Sequence, residues 1–181
     1  MIRNRRTIYP KDFSSRKVHK EMLEKMLENA RWAPTHGMTQ PWRFKVFIDE
    51  GREKLANALP EIYKSATPTD KFNEKKYEKL KDRALKSSAI IAVCMKRDEN
   101  KKIPEIEETE AVACSVQNIL LTATAYGLGA YWSTGDIAYS QEMSSFLELG
   151  DEDKFLGFVY IGYPDIEWPK SQRKPMDHYV Q

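Results

Sequence analysis

Residues 89–95 read Ala-Ile-Ile-Ala-Val-Cys-Met, a continuous apolar run. A run of that length, with no polar residue at alternate positions, reads as a strand buried on both faces. A second segment also demands the interior. From about Glu107 to Tyr126 the residues Ala111, Ala113, Val116, Ile119, Leu120, Leu121 and Ala123 fall nearly all round a helix, which places that helix in the centre. Gly127 follows as a natural residue just past a helix C-terminus.

The remaining elements are arranged around these two. Ser14 and Ser15 offer N-caps for a helix to about Arg31, with Val18, Met22, Leu23, Met26, Leu27 and Ala30 on one face. Pro34 stops it. Trp42, Phe44, Val46 and Ile48 read as a strand that Gly51 ends, and Leu55, Ala58, Leu59 and Ile62 read as another helix. Residues 64–87, rich in lysine and glutamate, read as a solvated helix or a mobile flap. Residues 130–133 form a short strand, Ser140 caps a helix to Leu147, and Phe155 to Tyr163 is the last strand. The tail from Asp165 to Gln181 has little core character, so it needs a surface in this subunit or a partner to lie against. With no repeat and no linker, residues 1–181 read as one α+β domain.

Composition removes several classes of function. The 181 residues are 41% hydrophobic and 31% charged, which supports a folded core rather than disorder. No apolar run approaches the roughly 20 residues that span a bilayer, and the basic N-terminus leads into no apolar stretch. A cytoplasmic chain without membrane contact is expected. A net charge of +2 is too small to argue for nucleic acid, and glutamates intervene among the lysines from Lys71 to Lys86. Cys94 and Cys114 lie on different elements with no Cys-x-x-Cys pair, and the three histidines are scattered. No metal site is expected, and both thiols read as free and buried. Gly127-Leu128-Gly129 lies after a helix and before a strand, the reverse of what a Rossmann dinucleotide loop requires.

Four stretches carry possible chemistry. Arg5-Arg6-Thr7 presents two guanidiniums and a hydroxyl, suited to a phosphate or an electron-rich ring edge; taken alone it reads first as a solvated basic arm. Residues 33–42, Ala-Pro-Thr-His-Gly-Met-Thr-Gln-Pro-Trp, crowd polar side chains between two prolines, and Gln40 offers both donor and acceptor to a heterocycle. Residues 127–135, Gly-Leu-Gly-Ala-Tyr-Trp-Ser-Thr-Gly, let backbone approach something flat and add the Ser133 and Thr134 hydroxyls; a plain helix cap and strand is the alternative. Lys170, Arg173 and Lys174 stand between Pro169 and Pro175, able to bind a phosphate or to keep a chain end soluble.

In this order the four stretches resemble the FMN-dependent nitroreductase family, in its compact single-domain branch. Arg5-Arg6-Thr7 resembles its opening Arg-Arg-Ser, Ala33-Pro34-Thr35 through Gln40-Pro41-Trp42 its Ala-Pro-Ser…Gln-Pro-Trp loop, and residues 127–132 its late Gly-x-Gly strand. Gly162-Tyr163-Pro164 with Arg173-Lys174-Pro175 resembles its C-terminal signature. Thr7 stands where serine is usual, Met38 where many members have asparagine, and His36 in place of a small residue.

The resemblance implies a central, mainly antiparallel sheet flanked by helices, and a homodimer with the C-terminal tail reaching over its partner. It implies FMN at the subunit interface and NAD(P)H as co-substrate, with electrons passed to a small flat acceptor such as a nitroaromatic or quinone. Arg5, Arg6 and Thr7 would contact the flavin, with Arg5 or Arg6 stabilising its reduced ring, and Arg173 would lie near the phosphate. His36 and Gln40 would come from the loop, and Trp132, Ser133 and Thr134 would line the other side of the ring. No catalytic acid is implied. The alternative role within the same fold is a flavin-cleaving, dehalogenating or flavin-storing protein.

Overall fold

The computed structural model describes residues 1–180, apart from the side chain of Asp136. Four strands, β1 (Trp42–Phe47), β2 (Ala89–Met95), β3 (Gly129–Ser133) and β4 (Lys154–Gly162), form one sheet in the order β1-β2-β4-β3. Every pairing between these strands is antiparallel. Among the described residues there are five α-helices: α1 (Lys20–Ala30), α2 (Asp49–Ala66), α3 (Glu74–Lys86), α4 (Glu105–Ala125) and α5 (Gln141–Phe146).

Strand β2 is buried at all seven positions, and the pleat explains how. Ala89, Ile91, Val93 and Met95 join a core cluster with residues of α1 and α4. Ile90, Ala92 and Cys94 point the other way, into a cluster with residues of α2, α3 and α5. Helices therefore cover both faces of the sheet. Each fully buried isoleucine or valine contributes about 1.5–3 kcal/mol.

Helix α4 departs from the expectation of burial all round. Ala111, Val112, Ser115, Val116, Ile119 and Ala123 are buried against the sheet and α1, whereas Cys114 and Gln117 are exposed on its outer face. Only one side of this helix meets its own chain, so the reading of Cys114 as buried is corrected. At its C-terminus Gly127 has φ +68°, with Leu128 N donating to Ala123 O at 2.9 Å and Gly127 N to Thr124 O at 3.1 Å. This is the paired closure that a left-handed glycine permits.

Helix α1 starts at Lys20, not at the serines. Ser14 N donates to Tyr163 O at 2.8 Å, and Val18 N to the Ser88 hydroxyl at 2.7 Å. Residues 13–18 are thus held extended by tertiary bonds that compete with the local cap. Of the two readings of residues 64–87, the helix forms. Asn73 caps α3 by accepting from Lys76 N at 3.0 Å, Leu80 and Ala84 are buried, and Phe72 stacks on Tyr63 at 5.5 Å. Ser140 caps α5 as expected, accepting from Met143 N at 3.2 Å.

The N-terminal arm and the C-terminal tail run side by side. Thr7 bridges Ala130 at the sheet edge, and Ile8 N donates to Ala130 O at 3.2 Å. Asp165 N donates to Asp12 O at 2.8 Å, Trp168 Nε1 to Asn4 O at 2.5 Å, and Arg6 Nε to Pro169 O at 2.7 Å. Phe13 seals this edge by lying over the cross-strand pair Gly129 and Gly162; a Cβ at Gly162 would fall 2.6 Å from its ring.

Cys94 is 1% exposed, and burial pushes its thiol up to about 12, against an opposing pull from Lys45. An unfolded thiol ionises at about 8.5. The raised folded value means this contribution to stability is complete below about pH 8.5 and is lost as pH rises through about 12. Alkylation at pH 8 should therefore leave Cys94 unmodified until the protein is unfolded, read by peptide mass spectrometry; labelling of native Cys94 would contradict the burial.

Candidate functional site

The side-by-side course of arm and tail brings Arg3, Arg5 and Arg6 to the same cavity as Ser171 and Arg173. Its volume is about 550 Å³, and Gln117 from the outer face of α4 completes the wall. Among the described residues, none of these four arginines is ion-paired with a carboxylate. Guanidiniums gathered without counter-charge repel one another, and a phosphate is the ligand whose planar, multidentate recognition suits them.

The arginines have different duties. Arg6 spends Nε on Pro169 O and Nη1 on the carbonyls of Arg3 and Arg5, at 2.7 and 2.9 Å. It is chiefly a tie between arm and tail. Arg5 makes no side-chain bond within the described residues, and Arg173 holds only Ser171 Oγ and Gln172 O, at 2.6 and 2.8 Å. These two keep donors for a ligand. Thr7 is exposed beside Ala130 and does not line the cavity.

The loop before β1 is conformationally unusual. Gly37, Met38 and Gln40 have φ of +57°, +54° and +46°. A non-glycine residue in this region costs on the order of 1–3 kcal/mol, a strain that persists only where neighbours impose it. Here Gln40 N donates to Thr35 Oγ1 at 3.1 Å, and His36 Nδ1 lies 2.5 Å from Glu107 Oε2. The result is a fixed turn that leaves the Gln40 carboxamide exposed. Glu107, the partner that orients His36, was not singled out by sequence reasoning, because it sits in the ordinary acidic first turn of α4.

At the end of β3, Trp132 donates its indole N–H to Leu156 O at 2.9 Å and packs against the α1–α4 core. Its polar atom is thus committed to the protein. Beside it, β4 bulges and Gly157 takes φ +112°, where a Cβ would lie 2.6 Å from Ser133 O. Ser133 and Thr134 leave the sheet there and line a second cavity, of about 460 Å³, with Gly135 and the cationic face of α3. Gln117 was missed as a site residue, and Arg3 and the α3 lysines entered the sequence reading only as a possible nucleic-acid surface. Arg3 shares the basic arm, and the i, i+4 spacing of Lys75, Lys79 and Arg83 was visible in the sequence; nothing in it marked Gln117.

One protomer does not bring all nine expected residues together. The His36–Gln40 loop enters β1, whose Trp42 is level with Met95 of β2 and Lys154 of β4. The arginine arm meets the opposite edge of the sheet, level with Gly162 at the other end of β4. Three strand spacings and the length of β4 separate these corners by roughly 30 Å.

The model of the Nitroreductase family matches residues 2–163. A Bacillus subtilis protein named "Putative NAD(P)H nitroreductase YfhC" is 30% identical over 177 residues, spanning 97% of this chain and 89% of that protein. The crystal structure of a nitroreductase-like family protein from Bacillus cereus superposes with a TM-score of 0.84 at 31% identity, over 99% of this chain and 92% of the other. A Desulfovibrio desulfuricans protein crystallised in complex with FMN superposes with a TM-score of 0.74 at 26% identity, over 99% and 93% of the two chains.

Proposed function

Given that the chain belongs to the nitroreductase family, we propose that it is an FMN-dependent oxidoreductase that acts as a homodimer. It takes electrons from NAD(P)H and passes them to a small flat acceptor such as a nitroaromatic or quinone. The observation that carries this reading is the arginine cavity, whose uncompensated donor set fits the flavin phosphate. Bound FMN supplies the hydride acceptance and electron delivery, and the protein supplies position and field.

In this reading Arg5 and Arg173 hold the phosphate, and Arg6 fixes the tail so that Arg173 stays in reach. The cavity opens beside Gln117 on the outer face of α4, the side of that helix with no cover from its own chain. A second copy seated on that face supplies what one protomer cannot: the His36–Gln40 loop, with Gln40 offering its carboxamide to the ring edge, while Ser133 and Thr134, a few residues along β3 from the arm, line the other side of the ring. The exposed residues beyond Lys170, among them Met176 and Tyr179, then lie over the partner.

The purified protein is expected to show a flavin absorption spectrum, or to acquire one with added FMN. Anaerobic NADH or NADPH should bleach it. A flavin spectrum that neither donor bleaches would favour the flavin-cleaving or flavin-storing alternative, and a protein that takes up no FMN would end the assignment.

A further inference from the structure

The second cavity has a wall of cations. Lys75, Lys79 and Arg83 stand at i, i+4 and i+8 on α3 and face it together, with Lys71 from the preceding turn. Like charges at this spacing destabilise a helix. Asp82 of α3, by contrast, pairs with Lys86 at 3.1 Å. Among the described residues, Lys71, Lys75 and Lys79 have no ion-pair partner. Lys76 adds a fifth cation to the wall, lying over the Tyr63 ring at 4.9 Å.

Beneath the cations the cavity is aromatic. Tyr63, Phe158 and Tyr160 form its floor and are almost wholly buried. Its volume of about 460 Å³ falls in the usual range for small-molecule sites. A cationic rim over an aromatic floor suits a ligand that has both phosphates and flat rings. The far wall is Ser133, Thr134 and Gly135, the segment placed beside the flavin ring above.

We propose that this cavity holds the pyrophosphate-bearing, nucleotide half of the nicotinamide donor, with its nicotinamide end directed past Ser133–Gly135 to the flavin. The proposal rests on the FMN reading for its direction but not for the binding itself. It gives α3 a function that its sequence, lacking a dinucleotide motif, does not announce. The donor is recognised by the lysine face of one helix rather than by a glycine-rich turn.

The test is titration of ADP-ribose, which lacks nicotinamide, into the purified protein by calorimetry at low salt, for the wild type and for Lys75→Glu combined with Lys79→Glu. Both positions are exposed on the surface of α3, so folding should be preserved, and circular dichroism checks it. Wild-type protein is expected to bind, and the double variant to bind tenfold to a hundredfold more weakly. The KM for NAD(P)H should rise by a similar factor, with kcat and FMN affinity unchanged. No ADP-ribose binding by the wild type, or equal binding by the variant, overturns the proposal. A raised KM for the acceptor with an unchanged KM for NAD(P)H also overturns it, and assigns the cavity to an anionic acceptor. FMN titration is read separately: failure there removes the flavin reading and leaves the ADP-ribose result to decide this one.

Discussion

Alanine at both Arg5 and Arg173 is expected to cost the protein its flavin. Both line the arginine cavity, and neither is paired with a carboxylate among the described residues. A hydrogen bond to a charged group is worth about 1.5–3 kcal/mol. Losing two such guanidiniums therefore weakens FMN binding by roughly 100-fold to 10,000-fold. Fluorescence titration of FMN into the apoprotein measures this directly. Thermal stability should change little, since Arg5 bonds no described group and Arg173 bonds only its own segment. Arg6→Ala is the contrasting variant. Its bonds to Pro169, Arg3 and Arg5 mean that it loosens the tail as well as the flavin. Unchanged FMN affinity in the Arg5–Arg173 double variant would remove the phosphate assignment of the cavity.

Glu108→Ala is expected to be strongly destabilising, although the residue lies outside the site. Glu108 is 1% exposed, is ion-paired with the largely buried Arg97, and accepts from Asp98 N at 3.2 Å. Removing one member of a buried pair leaves the other charge uncompensated, at a cost of about 3–5 kcal/mol. For a chain of this size that lowers the melting temperature by about 10 °C, measurable by circular dichroism. Replacing both partners by apolar residues, Arg97→Met with Glu108→Leu, should recover most of the loss. A single variant that melts within 2 °C of the wild type, to give a rough threshold, would show that the pair carries little of the stability.

These two predictions differ in how far their basis could be read from the chain. The resemblance carried by the motif order implied Arg5 at the flavin ring and Arg173 near its phosphate; that both line one cavity is a finding of the tertiary structure. Nothing in the sequence marked Glu108, because an acidic residue in the first turn of a helix is ordinary. Only the return of Arg97 from the end of β2 turns this one carboxylate inward. Helix α1 shows the same limit. Ser14 and Ser15 are good caps by residue type, yet the backbone there is taken by Tyr163 and Ser88, both distant in sequence. The tail was an unplaced segment because its partner, the N-terminal arm, lies at the other end of the chain and pairs with it through backbone and single side chains, which leave no periodic signal.

The sequence by itself determined what local pattern encodes. A continuous apolar run made β2 the centre of the sheet, a left-handed glycine closed α4, a serine capped α5, and the ordered motifs named the family. The tertiary structure alone decided what depends on long-range convergence. It distributed the expected flavin residues over opposite corners of the sheet, and it bared one face of a helix that looked central. It also turned the charge of α3 into a cavity wall. Backbone pattern is set by neighbours a few residues apart, whereas a binding site is set by which distant segments the packed core brings to one place.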